Sequence, residues 1–218
     1  MEYKTGDKIR DIITDRLRAP KIEHRYGSYP YVYFTMRPRC EIRVGRRSYS
    51  NRFYPIKLAA NVDQKLEIGR YTSIGDSLDI IMSGGHDPER LSSYPFEQFF
   101  NKKKGFTRGD IKIGNDVWIG SDVTIVGGGI RVGDGAVIGA KSLVTAGQVL
   151  DDYGIYAGVP AKLIRYRFKK STIQELLRLK WWDMPEKTIV ENADVFSMKN
   201  TDKAIKMLEK IAENQRGM

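Results

Sequence analysis

Few side chains in this sequence can exchange a proton or attack a carbon at neutral pH. There are two histidines, His24 and His86, and one cysteine, Cys40. An imidazole with its ordinary pKa near 6.5 can take a proton and return it within one turnover. His86 stands in Gly84-Gly85-His86-Asp87-Pro88, a run of turn formers, where it serves either as a general base or as the cap of a turn. Asp87 has two readings as well, orienting the imidazole or simply making an Asp-Pro turn. His24, in Glu23-His24-Arg25, reads as a solvated surface residue. One cysteine makes no internal disulfide, and with two distant histidines it makes no ligand cluster, so no metal is expected.

The element that must hold His86 announces itself by a period of six. Aliphatic residues recur at Ile56, Val62, Ile68, Ile74 and Ile80, resume at Ile113, Ile119 and Ile125, and continue after a one-residue insertion at Gly127-Gly128-Gly129 as Val132, Ile138 and Val144. Glycine follows at Gly69, Gly75, Gly114, Gly120, Gly133 and Gly139, and a small or aliphatic residue stands four places on, at Ala60, Leu66, Thr72, Leu78, Val117, Val123, Ala136 and Ser142. Six fits neither an amphipathic helix nor an unbroken strand. It fits a short strand and a turn, repeated as the sides of a three-sided coil, with the aliphatic residue inward and coils stacked in parallel. The glycine is expected to supply the positive φ of each corner. Chance spacing is the alternative, and eleven phased aliphatics, six of them followed by glycine, argue against it. The phase breaks between Ile80 and Ile113, so a loop of about residues 83–106, carrying His86, is expected to leave the solenoid; such loops are usually functional.

At Gly85-His86 with Tyr94-Pro95-Phe96, Gly109-Asp110-Ile111 through Gly114-Asn115-Asp116-Val117-Trp118-Ile119-Gly120, Ile138-Gly139-Ala140-Lys141-Ser142, Tyr156-Ala157-Gly158-Val159-Pro160-Ala161-Lys162 and Lys180-Trp181-Trp182-Asp183, the sequence resembles the hexapeptide-repeat acyltransferases. The closer resemblance is to their xenobiotic acetyltransferase subgroup, which includes streptogramin and type-B chloramphenicol acetyltransferases. It covers about residues 44–190. The resemblance implies a mainly β fold, a left-handed parallel β-helix with a long excised loop and C-terminal α-helices, although crossovers between parallel strands are ordinarily right-handed. It implies acetyl-CoA as cosubstrate, His86 as catalytic base, and direct acetyl transfer to an acceptor hydroxyl without an acyl-enzyme. It places Ala140, Ser142, Ala157 and Gly158 along the CoA groove and Lys162 near the nucleotide phosphates. Trp118 would face the cleft at the thiol end of CoA, with a subunit-contact aromatic as the alternative. Tyr31 and Tyr33, in an aromatic stretch before the first coil, would line the acceptor pocket, or simply pack. Related enzymes are trimers sharing each active site between neighbours, so a homotrimer is expected.

The organisation expected is therefore an N-terminal helix and lead-in over 1–43, the repeat domain over 44–166, and a helical cap over 167–218. Ile9, Ile12, Ile13 and Leu17 suggest the first helix; Ile173, Leu176 and Leu177 a helix covering the last coil; Thr201-Asp202 the start of another, with Ala204, Met207, Leu208 and Ile211 on one face. The net charge of +10 attracts anions, and a phosphorylated cofactor is weighed before nucleic acid because the basic residues form no continuous arm. Arg165, Arg167, Lys169, Lys170 and Lys102-Lys103-Lys104 are phosphate contacts or a solvated face. No apolar run has signal-peptide or membrane-span length, which makes the cytoplasm the expected compartment, with no membrane span. The acceptor is a sugar or polysaccharide-precursor hydroxyl or an antibiotic; the Gly85-His86 pair, where antibiotic-modifying relatives commonly have Asn-His, tilts toward the sugar. The alternatives are N-acetylation of an amino sugar and a non-catalytic scaffold binding an anionic partner.

Overall fold

The computed structural model describes residues 32–34, 41–50, 56–59, 64–82, 86–94, 96, 100 and 109–216. The expected N-terminal helix, His24, Tyr31, Cys40, Gly84, Gly85 and Lys102 to Lys104 lie outside these residues, and of Tyr33 only the backbone is described. Strands of two to five residues pair with every third strand along the chain, which builds three sheets. The first sheet contains Val32–Phe34, Ile56–Ala59, Asp79–Ile81, Thr124–Val126 and Leu143–Thr145. The second contains Glu41–Val44, Lys65–Ile68, Ile111–Ile113, Ile130–Val132 and Val149–Leu150. The third contains Tyr49–Ser50, Ser73–Ile74, Trp118–Ile119, Val137–Ile138 and Gly154–Ala157, all parallel, and ends in the antiparallel Lys162–Tyr166. Only a coil with three sides returns each strand beside the third one before it.

The six-residue period sets the core. Ile68, Ile113, Val132 and Leu150 register in one column, and Ile74, Ile119, Ile138 and Tyr156 in a second. Ile80, Ile125 and Val144 form a third, and every member of the three columns is at most 6% exposed. At ~25 cal/mol per Å² of apolar surface, such columns supply the main driving force, and each coil contributes only when its neighbours cover it. Because Ile68 registers with Ile113, the loop after Met82 leaves and returns without shifting the phase. The phase does not extend as far back as predicted. Leu58, not Ile56, registers with Ile80, and Ile56 registers with Val32, because the early coil is longer than three hexads. Among the described residues, paired strands occur from Val32 onward, ahead of residue 44.

The corner glycines have a different reason from the one expected. None of Gly69, Gly75, Gly114, Gly120, Gly133 and Gly139 has a positive φ; it falls two residues later, at Tyr71, Ser77, Asp116, Asp122, Gly135 and Lys141. What the glycines provide is closeness. A Cβ on Gly69 would lie 2.4 Å from the Gly114 carbonyl oxygen of the next coil, and one on Gly120 2.5 Å from the Ala140 nitrogen. A corner side chain then bonds the previous coil. Asn115 Oδ1 accepts from the Arg70 N–H at 2.8 Å, Asp134 Oδ1 from the Asn115 N–H at 2.7 Å, and Asp152 Oδ1 from the Asp134 N–H at 2.7 Å. This ladder satisfies backbone donors that a sharp turn would otherwise orphan.

The C-terminal helices, Lys170–Leu179, Glu186–Glu191, Ala193–Phe196 and Thr201–Arg216, do form. They run along a prism edge rather than only covering the last coil. Tyr71 and Tyr153, set in the left-handed region at corners of an early and the last coil, both project into their apolar cluster with Leu176, Trp182 and Ile205. Arg46 donates to the carbonyls of Trp182 and Met184, and Arg70 pairs with Asp183. In the last helix Ala204, Ile205 and Leu208 are buried, while Met207 is turned outward.

Arg167 holds this edge at the other end. It donates to Asp116 Oδ2 at 3.1 Å and to the Gly135 carbonyl at 2.7 Å, and its guanidinium lies 5.2 Å from the ring centres of both Tyr153 and Phe168. Burial raises the Asp116 carboxyl above its usual range, with Arg167 pulling it back down. A raised native pKa contributes stability at low pH that is lost as pH rises through it. Arg167→Met strands the carboxylate and is expected to cost roughly 2 kcal/mol at pH 7 and less as the pH falls and protonation of Asp116 removes the stranded charge; urea midpoints at pH 7 and in acid measure this.

Candidate active site

Most of the residues expected to hold CoA meet at one edge, where the third sheet turns into the first. The Leu143 N–H donates to the Gly158 carbonyl at 3.0 Å, and the Gly139 N–H to the Tyr156 carbonyl at 2.8 Å. Ala140 is exposed at this corner, and a Cβ on Gly139 would come within 3.0 Å of the Ala157 Cβ. Gly158 is exposed, with φ +102°, and begins the turn through Val159 and Pro160 that reverses the chain. Lys162 is exposed in register with Ala157. Ser142 points inward, 1% exposed, and its hydroxyl accepts from the Gly158 N–H at 3.2 Å. It shapes the corner rather than presenting its side chain to solvent.

Trp118 lies on the strand that enters the same edge. Its side chain is 58% exposed, next to Ser73 and Val137 on neighbouring strands. A cavity of ≈ 330 Å³ opens beside it, lined by Tyr49, Ser73, Ile74, Gly75, Asp76 and Trp118. Tyr49 and Asp76 were not singled out from sequence, because only the stacking of coils brings them to Trp118. Small residues, exposed Val159 and Ile164 and the Lys162 cation suit a ligand with a slender apolar arm and phosphates. Arg167 and Lys169 are committed elsewhere, to Asp116 and Asp202.

His86 belongs to another edge. Its loop leaves after Asp79–Ile81, where the first sheet turns into the second, and returns at Gly109. The imidazole is exposed, and Nδ1 donates to the Ser93 carbonyl. A carbonyl oxygen only accepts, so Nδ1 carries the hydrogen, and in the neutral imidazole Nε2 holds the lone pair. The Asp87 carboxylate turns to the Glu89 N–H at 3.1 Å and Arg90 at 3.3 Å, which makes it a turn residue rather than an imidazole orienter. Tyr94, Phe96 and Phe100 form an exposed ring cluster on the same loop, with centroids 4.9–6.4 Å apart. Within one chain, a prism face separates the edge that sends out the His86 loop from the Trp118 and Gly158 edge, six residues or roughly 20 Å of extended backbone. Among the described residues no group of histidine, cysteine and carboxylate side chains could hold a metal ion. Nor is any described helix long and apolar enough to cross a membrane.

No protein-family model matches the sequence. A probable macrolide acetyltransferase of Lysinibacillus sphaericus is 38% identical over 145 residues, covering 62% of this chain and 79% of that protein. The chain belongs to the xenobiotic acetyltransferase subgroup of the hexapeptide-repeat family. A chloramphenicol acetyltransferase of Agrobacterium fabrum (strain C58 / ATCC 33970) is 45% identical over 130 residues, 56% of this chain and 61% of that one. The fold likeness extends to the solved structure of a maltose O-acetyltransferase from Clostridium difficile 630, with TM-score 0.50, 23% identity and coverage of 76% and 80% of the two chains. A xenobiotic acetyltransferase draws its acetyl group from acetyl-CoA, so this chain is an acyltransferase. The edge bearing Ala140 and Gly158 is the candidate place for that cosubstrate.

Proposed function

We propose that the chain works as a cytoplasmic homotrimer of left-handed β-helices that transfers acetyl directly to an acceptor hydroxyl, with His86 as the general base. The observation that carries this is the Nδ1 donation to the Ser93 carbonyl, which leaves an exposed Nε2 free to accept a proton. The acceptor oxygen attacks the thioester carbonyl as its proton passes to Nε2, the C–S bond breaks, and the imidazolium returns the proton to the departing thiolate. The gap between His86 and the Trp118 edge is closed by a neighbour: one subunit sends its loop to the Trp118, Ala140, Ala157, Gly158 and Lys162 edge of the next. Ser142 holds the Gly158 turn in place, and Tyr31 and Tyr33 are the proposed acceptor-binding residues.

The relatives named for chloramphenicol and for macrolides favour an antibiotic alcohol as acceptor. The Gly85-His86 pair keeps a sugar hydroxyl as a second reading. A thiol-release assay with acetyl-CoA across chloramphenicol, a macrolide, streptogramin A and nucleotide sugars separates them, and alkaline lability of the product marks an O-ester. The shared site has its own test. Co-refolding His86→Ala with Trp118→Ala is expected to restore about one quarter of wild-type activity, since a random mixture leaves that share of sites with both residues. No recovery above the separate variants would rule out a site between subunits.

A further inference from the structure

We propose that Gln64 is a positioning residue for His86, acting through the base of the loop; this rests on the reading of His86 as general base. Gln64 is 2% exposed, and its Nε2 donates to the Met82 carbonyl at 3.1 Å and to the Gly109 carbonyl at 2.7 Å. Those two carbonyls stand on the two stems of the loop, one just before residue 83 and one just after residue 108. Both partners are acceptors, so the nitrogen end of the carboxamide must face them. One side chain thus clamps the departing and returning strands together. The next residue extends the clamp: the Lys65 N–H donates to Asp110 Oδ1 at 2.8 Å, while the Gly129 N–H donates to the Asp110 carbonyl at 2.8 Å.

His86 is four residues beyond Met82, so a chain of at most ~14 Å links the clamp to the imidazole. A shift of the stem is expected to move Nε2. A displacement of 1 Å in a catalytic group can cost about 100-fold in rate. The Gln64 Oε1 atom, buried and without a hydrogen-bond partner among the described residues, sharpens the point. A purely structural amide would gain by satisfying both ends, whereas this one spends its two donors on the loop and leaves its acceptor bare.

Gln64→Met keeps the volume and removes both donors. It is expected to lower kcat roughly 10- to 100-fold and leave the KM for acetyl-CoA within about twofold. Thr72→Val, which deletes the buried hydroxyl donation to the Gly114 carbonyl in a neighbouring coil, should cost comparable thermal stability and leave kcat unchanged. The deciding measurement is the double variant. If Gln64 acts through His86, Gln64→Met has no further effect in a His86→Ala background. A loss of the same size in that background, an equal loss from Thr72→Val, or a wild-type kcat in Gln64→Met each overturns the assignment. Should Gln64→Met not fold, Gln64→Asn, too short to reach both carbonyls, carries the same comparisons. A fully active His86→Ala variant would instead remove the general base itself.

Discussion

His86→Ala is expected to lower turnover by roughly two to four orders of magnitude and to leave acetyl-CoA binding and the melting temperature almost unchanged. The first half follows from the lone pair that the Ser93 contact leaves on Nε2. The second follows from exposure: the imidazole is solvated and makes one hydrogen bond among the described residues, so its removal opens no cavity. Stopped assays of thiol release, with acetyl-CoA affinity measured by calorimetry on the same preparation, give both numbers. Turnover within tenfold of wild type would end the assignment.

Gly69→Ala is expected to be among the most damaging single methyls that can be added to the solenoid. Its Cβ would meet the Gly114 oxygen at 2.4 Å, the Gly114 carbon at 2.5 Å and the Asn115 nitrogen at 2.7 Å. All three are backbone atoms, so no side chain can swing away. The coils must separate, which breaks the Gly69 N–H bond to the Ile113 carbonyl and opens the Ile68 and Ile113 contact beneath it. A loss on the order of 3–4 kcal/mol, a large fraction of a domain's net stability, is expected in urea denaturation. Gly147→Ala is the control: its φ is +74° and nothing lies within 4 Å of the added carbon, so only the left-handed strain of about 1 kcal/mol applies. Equal costs for the two would show that close approach is not the reason for the corner glycines.

That contrast marks how far the residues alone could be read. The inward positions from Ile68 to Val144 were legible because burial forces one residue type at a fixed period, and a period survives in a linear string. The purpose of Gly69 and its counterparts was not. Glycine serves either a positive φ or a close approach, and which of the two applies depends on the coil stacked against it. The Asn115, Asp134 and Asp152 ladder was hidden for the same reason: each side chain serves an N–H on the preceding coil, at a distance in sequence that changes with every insertion.

For the candidate site the division is similar. The sequence by itself determined the repeat and the excised loop, since these depend on residue type and local spacing, and through its family resemblance it offered His86, Trp118 and the Ala157 to Lys162 turn as candidates. Tertiary structure alone decided that His86 and Trp118 arise on different edges of the prism, that Ser142 faces inward, and that Gln64 ties together the loop stems. The physical reason is that a coil turns local order into long-range neighbourhood. Which residues meet across coils is set by the number of residues in each turn, and that number is felt only when the coils stack.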